Sequence, residues 1–289
     1  MTTTTRVGLS VHVARLVHIY RADGHDVAAL SGVDLSIDAG STLALLGPSG
    51  AGKSTLLSLI AGLERPTAGT ITIGDERTDQ LADGEMDRWR GDRVALVLQG
   101  GQRNLLPYLS VLDNIRMAQW GSVTGAAPDP DDLLEWVGVP DDIVHRKPAE
   151  LTEAQAQLVA LCVGAASGPG LLLADEPTAS LAADATHQVI EALRRLNDSL
   201  GTTILTVTHD PVLAAAMDRT VTIRDGRVGA QAHDGVELAV VSPDGALPLP
   251  DDVLDELPPG TLLRVQRDDS SQHLRLVVEP WSGRGEGRP

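Results

Sequence analysis

Nine consecutive residues, GPSGAGKST at positions 47–55, restrict what this chain can fold into more than any other feature. Gly47, four residues, then Gly52, Lys53 and Ser54 is the spacing of a loop that wraps a phosphate group. The glycines Gly47, Gly50 and Gly52 let backbone N–H groups curl around the phosphates, with Pro48, Ser49 and Ala51 between them. Lys53 can reach the outer phosphates, the Ser54 hydroxyl is suited to ligate magnesium, and Thr55 leads onward into a helix. The flanks agree with this reading. Residues 43–46 are a continuous apolar run, short enough for a buried parallel strand. From Lys53 to about Leu63 the pattern is an apolar helix, whose first turn adds the positive end of its dipole. Strand, glycine loop and helix in that order are what the mechanism requires.

A second motif lies further on. LLLADEPT, residues 171–178, is an apolar strand ending in two adjacent carboxylates. Asp175 is placed to hold magnesium through water, and Glu176 to polarise an attacking water. By itself such a pair is a solvated loop more often than a site. Behind a phosphate loop it reads as chemistry.

The order of elements predicts an α/β fold. Residues 11–19 and 33–37 read as strands, with turns at Asp23-Gly24 and Asp38-Ala39-Gly40. Further strands are expected at 70–73, 94–98, 171–174 and 204–208, and a helix over 185–200 that stops at Gly201. Strands alternating with helices imply a mainly parallel sheet covered on both faces. The stretch from about 100 to 168 has helical spacing, as at Leu133, Leu134, Trp136 and Val137, and is expected to be a helical insertion within a domain spanning 1–231. Residues 232–281 read as a small β-rich domain, with strands at 236–241, 262–265 and 274–278 and a turn at Pro243-Asp244-Gly245. Residues 282–289 are expected to be a disordered tail.

Composition narrows the partners. A net charge of −17 makes a surface that repels nucleic acid. The single cysteine, Cys162, cannot form an intrachain disulfide, and a reducing compartment fits. The first six residues are a Thr run without an apolar signal core. The longest apolar stretch, 158–166, is far short of the roughly 20 residues that span a bilayer. A soluble chain is expected, with any membrane role exercised through a partner.

Together the two motifs resemble the ABC ATPase family over roughly residues 7–228. That resemblance implies ATP and magnesium as cofactors, and ATP hydrolysis as the activity. It implies further site residues. Gln99, after the strand 94–98, matches the glutamine that contacts magnesium and the water and links the site to the helical insertion. His209, in TVTHD, matches the histidine on the terminal phosphate. Tyr20 stands where the family often stacks an aromatic on adenine, with core packing as the alternative. The stretches VAALSGVDLSI, GLERPTAGTITIGD and NLLPYLSVLDNI resemble transporters of the lipoprotein-releasing and macrolide-exporting type. The expected partners are therefore a membrane-spanning transporter subunit and a second nucleotide-binding domain, identical or different. The expected location is the inner face of the cell membrane, on its cytoplasmic side, with no nucleic acid partner.

The family's LSGGQ signature is broken. The aligned residues are Leu151, Thr152, Glu153, Ala154 and Gln155, so both glycines are lost and a carboxylate is added. The arginine expected shortly afterwards is Leu158, and the expected aspartate after the catalytic glutamate is Ala182, with Asp184 two residues on. In the family these elements act on the partner's ATP, whereas the phosphate loop, the acidic pair, Gln and His act on the chain's own. The resemblance therefore implies a subunit that powers a separate transporter in an asymmetric dimer. The alternative is an ATP-binding regulator with little hydrolysis. Residues 242–265 also resemble AbrB-like swapped-hairpin domains; with eleven Asp or Glu against five Arg from Ala232 onward, dimerisation or partner contact is expected there rather than DNA binding.

Overall fold

A computed structural model describes residues 8–22, 25–120, 127–233, 236–239, 257, 261, 263–267 and 274–278. Two sheets form the body. The larger one contains β3 (Thr42–Leu46), β6 (Val94–Val97), β7 (Leu171–Asp175), β8 (Thr203–Val207), β9 (Arg219–Arg224), β10 (Arg227–His233) and β11 (Val236–Ala239). Its order is β11-β10-β9-β3-β8-β7-β6. The five strands from β9 to β6 are parallel, and β10 and β11 add to the edge as antiparallel strands. The parallel strands are the apolar runs of the sequence, because helices or a second layer cover both of their faces.

The second sheet differs from expectation. β1 (Val11–Ala22), β2 (His25–Ile37), β4 (Ala68–Ile73) and β5 (Glu76–Arg77) do not join the parallel sheet. They make a separate antiparallel sheet ordered β2-β1-β4-β5. The alternation along β1 carries the reason. Val11 and Val13 are buried while His12 between them is exposed, as in a sheet with one wet face. Arg15, at φ 49°, bulges the strand, and burial resumes at Leu16 and His18.

Two cores lie on opposite faces of the large sheet. Leu43, Leu45, Leu171, Leu173, Leu205 and Val207 point to one side. There they meet α1 (Lys53–Ile60) and the buried face of the antiparallel sheet. Ala44, Leu172, Ala174 and Ile204 point to the other. There they meet α5 (Glu153–Ala165) and α6 (Ala183–Leu200), with α3 (Val111–Gln119), α4 (Pro130–Val137) and α7 (Pro211–Ala215) in the same cluster. The remaining helix, α2 (Asp83–Arg93), precedes β6.

The helices start and stop where the sequence supplies caps. Ser110 accepts a hydrogen bond from the Asp113 N–H at the start of α3, and Asp129 does the same for Asp131 ahead of Pro130 in α4. α6 ends at Gly201, whose φ of 63° is the left-handed conformation glycine tolerates.

β10 runs through the position set above as the boundary between residues 231 and 232, and β11 pairs with it in register Ala230↔Ala239. The large sheet thus continues beyond that point. β12 (Leu263–Arg267) and β13 (Leu274–Val278) pair as an antiparallel hairpin. The turn at Asp23-Gly24, Val240, Val241, the turn at Pro243-Asp244-Gly245, Leu262 and the tail 282–289 lie outside the described residues. No helix among the described residues is long and apolar enough to cross a membrane.

Candidate functional site

The glycine loop joins the C-terminal end of β3 to α1, and backbone from two other elements braces it. Gly47 has φ 145°, and a Cβ there would stand 2.1 Å from the Ile223 carbonyl oxygen of β9. Gly52 has φ 96°, and its Cβ would stand 2.5 Å from the Ala29 carbonyl oxygen of β2. Neither position admits a side chain. The Ala51 carbonyl accepts from Gly226 N–H at 3.2 Å, and the Gly226 carbonyl accepts from Ser31 N–H at 2.9 Å. Asp225 and Gly226, at φ 48° and 70°, form the tight turn between β9 and β10. That turn stitches β2 to the loop.

Lys53 is 9% exposed. Its ammonium donates to the carbonyl oxygens of Gly47 at 2.7 Å and Pro48 at 2.9 Å. An ammonium has three donors, so one N–H is left to face the cleft. The buried charge is thus held by its own loop.

Opposite Lys53 stands the end of β7. Ser54 and Asp175 line the same cleft. Burial and then the neighbouring Glu176 push Asp175 above the ordinary Asp range, while Ser54, Lys53 and Arg103 pull it back. Glu176 has φ 47°, a conformation uncommon outside glycine. Its N–H donates to the Val207 carbonyl at 2.9 Å, which fixes the turn against β8. The Glu176 side chain, 15% exposed, meets His209 just beyond β8, with Oε2 2.8 Å from Nδ1. Gln99 follows β6 at the same end of the sheet. All these groups sit at the C-terminal ends of parallel strands, where open α/β sheets gather ligands.

They surround one cleft of about 540 Å³. Its lining includes Gly47, Pro48, Ser49, Gly50, Gly52, Lys53, Ser54, Thr55, Gln99, Asp175, Glu176 and His209. Two expected residues stand apart from it. Ala51 is buried beneath the loop, where its backbone acts as the brace just described. Tyr20, 37% exposed, packs edge-on against His18, and its hydroxyl donates to Glu64 at 3.1 Å and to Thr55 at 3.4 Å. Ala29 and Val207 line the cleft without having been read from the sequence. Small apolar residues carry no chemical pattern that could have singled them out.

The donor set fits magnesium. Ser54 Oγ, the Gln99 amide oxygen and the Asp175 carboxylate line one cleft and are hard oxygen donors of the kind magnesium takes. The broken signature lies elsewhere, at the start of α5. Thr152 is the N-cap; its Oγ1 accepts from Gln155 N–H at 3.2 Å, and Gln155 Oε1 accepts from Thr152 N–H at 3.0 Å. This is a closed capping box with Glu153 in the first turn.

Residues 30–179 match the family model described as ABC transporter. The lipoprotein-releasing system ATP-binding protein LolD of Anaeromyxobacter dehalogenans is 42% identical over 205 residues, 70% of this chain and 84% of that protein. The macrolide export ATP-binding/permease protein MacB of Burkholderia pseudomallei is 35% identical over 243 residues, 83% of this chain but only 37% of that longer protein. Among solved structures, the dimeric ATP-binding cassette MJ0796 bound to ADP and phosphate superposes with a TM-score of 0.70 at 30% identity, over 77% of this chain and 98% of that one. With a phosphate loop, a strand-end acidic pair and these likenesses in one domain, the chain belongs to the ABC transporter family.

Proposed function

We propose that this chain binds ATP with magnesium in the 540 Å³ cleft, hydrolyses it, and thereby powers a separate membrane-spanning transporter. The observation that carries the reading is the convergence of Lys53, Ser54, Gln99, Asp175, Glu176 and His209 on that one space. The loop amides and the free N–H of Lys53 take the phosphates. Ser54, Gln99 and Asp175 hold magnesium, which supplies charge neutralisation at the phosphate oxygens. Glu176 orients the attacking water and accepts its proton. His209 holds Glu176 Oε2 in place and offers its ring to the terminal phosphate.

The partners follow from the same reading: a transporter subunit in the membrane and a second nucleotide-binding domain, with this chain peripheral on the cytoplasmic face. One observation favours weak hydrolysis by the chain alone. At the start of α5 the Gln155 N–H is taken by the Thr152 oxygen, and Glu153 adds a negative charge beside it. An asymmetric dimer, in which a partner with an intact signature completes this chain's site, accommodates that feature. The test is phosphate release by the chain alone and by the chain purified with its native membrane partner. Faster release in the assembly is the expected result. No hydrolysis in either, with ATP still bound, would favour the regulatory reading instead.

A further inference from the structure

One carboxylate near the phosphate loop has no part in the chemistry described above. Glu64 follows α1, where the Ser58 carbonyl accepts from Leu63 N–H at 2.9 Å and the Leu59 carbonyl accepts from Gly62 N–H at 3.1 Å. Both of its carboxylate oxygens are engaged by β1. Oε2 lies 3.2 Å from His18 Nε2, and Oε1 accepts from the Tyr20 hydroxyl at 3.1 Å. The carboxylate cannot turn without losing a partner.

His18 reinforces the arrangement. It is 8% exposed, and its Nδ1 has no hydrogen-bond partner among the described residues. Nε2 is the ring nitrogen with a partner, and that partner is Glu64. The ring also packs edge-on against Tyr20, with centroids 4.5 Å apart. Tyr20 is thus held twice, its ring by His18 and its hydroxyl by Glu64.

The tethered tyrosine reaches the rim of the cleft. Its hydroxyl stands 3.4 Å from Thr55 Oγ1, and Thr55 lines the cleft. Its cross-strand partner on β2 is Val27, and the two are 37% and 53% exposed. Residues directly opposite in an antiparallel pair share a face. Ala29 is an extra residue in β2 between the pairs Ile19↔Ala28 and His18↔Leu30, and it also lines the cleft. An exposed apolar surface of Tyr20 and Val27 therefore begins at the edge of a phosphate-binding space. The phosphate loop takes the charged end of a nucleotide, and the flat end is served by a surface of this kind.

We propose that Glu64 is a positioning residue for nucleotide binding: by holding the Tyr20 hydroxyl, it presets the Tyr20 ring at the cleft rim for the nucleoside part of ATP. This rests on the reading of the cleft as an ATP site and deepens it. An exposed tyrosine without the tether must give up side-chain freedom on binding, which costs affinity.

The experiment titrates ATP and inorganic triphosphate, each with magnesium, at fixed ionic strength. The proteins are the wild type, Glu64→Ala, Glu64→Gln, Tyr20→Phe and the double variant Glu64→Ala with Tyr20→Phe. Glu64→Ala is expected to weaken ATP binding about fivefold, the cost of ordering one side chain. Triphosphate, which lacks a nucleoside, should change less than about twofold. Tyr20→Phe keeps the ring and loses the tether, so it should match Glu64→Ala, and the double variant should lose no more than either alone. Glu64→Gln keeps an oxygen acceptor for the phenol and should retain part of the affinity. Equal losses for ATP and triphosphate would overturn the proposal, since a merely structural tie between β1 and α1 would weaken both alike. Unchanged ATP affinity in Glu64→Ala, or additive losses in the double variant, would overturn it too; where triphosphate binds too weakly to titrate, additivity decides. Thermal midpoints within about 2 °C of wild type establish that the variants are folded. Should Glu64→Ala unfold, Glu64→Gln and Tyr20→Phe carry the comparison. A wild type that binds no ATP would refute the proposed function itself. A wild type that binds ATP beside an unaffected Glu64→Ala would refute only the role of Glu64.

Discussion

His209 Nδ1 lies 2.8 Å from Glu176 Oε2, joining the second residue after β8 to the residue after β7 across two adjacent parallel strands. The imidazole is 71% exposed and the carboxylate 15%, so the pair has an open end toward the cleft and a closed end toward the sheet. That contact, with the His209 backbone N–H donating to the same oxygen at 3.4 Å, fixes one carboxylate oxygen and leaves the other for water.

Glu176→Gln is therefore expected to keep ATP affinity within about threefold of wild type and to lower hydrolysis at least a hundredfold, the usual span of a general base. His209→Ala removes the anchor but not the base, and a smaller loss of about tenfold is expected. Parallel ATP titrations and phosphate-release assays check both. Unaltered turnover in Glu176→Gln would remove that residue from the role.

Asp175 gives a pH-dependent prediction. Its folded-state pKa is raised, first by burial and then by Glu176. A raised carboxylate pKa favours the folded state below its unfolded value and loses that advantage as pH rises through the folded value. At neutral pH the ionised group is therefore a burden on the nucleotide-free protein. Asp175→Asn should raise the thermal midpoint at pH 7 by about 1–2 °C in the presence of a chelator. The gap should close toward acid pH, where the wild-type carboxyl takes up its proton. The same variant should lose the magnesium dependence of ATP binding. A midpoint below wild type at pH 7 would contradict the raised pKa.

The phosphate loop and its flanking strands were legible because their physics is local. β3, β7 and β8 are covered on both faces and so read as unbroken apolar runs. The spacing of Gly47, Gly52, Lys53 and Ser54 is set by the loop itself. The antiparallel sheet was not legible as a separate layer. Its pairings, such as Val13↔Ile71, join distant segments, and no short-range pattern encodes them. β2 was expected only from Val33, but it begins at His25. Its early residues, such as exposed Val27, lack the burial that writes a period into sequence. β9 and β10 went unread although Asp225-Gly226 between alternating residues is a hairpin signal. Of the site, the groups with chemistry were readable. The packing that aims them was not: the brace from Gly226, the backbone of Ala29, and Asn104, whose side chain accepts from the Leu98 N–H and donates to the Leu98 carbonyl beside Gln99.

The broken signature yields a gain-of-function prediction. Glu153 opens α5, and Ala182 is an N-cap for α6 that offers no side-chain hydrogen bond. Restoring Glu153→Gly, Ala154→Gly and Ala182→Asp together removes the charge, clears the side chains from the first turn of α5 and supplies a capping carboxylate at α6. Steady-state phosphate release by the lone chain should rise several-fold over the original at equal concentration, since the reaction depends on positioning and charge. A high rate in the unaltered chain, with no gain on restoration, would show that the departures are neutral and that no asymmetric partner is needed.

The central claim is that the loop at 47–55 seats the phosphates of ATP through Lys53. Titration of ATP with magnesium into the wild type and Lys53→Ala tests it most directly. The account predicts saturable binding by the wild type at micromolar nucleotide and none by the variant in that range, with both proteins folded by circular dichroism. Equal affinity in the two would contradict the account at its foundation.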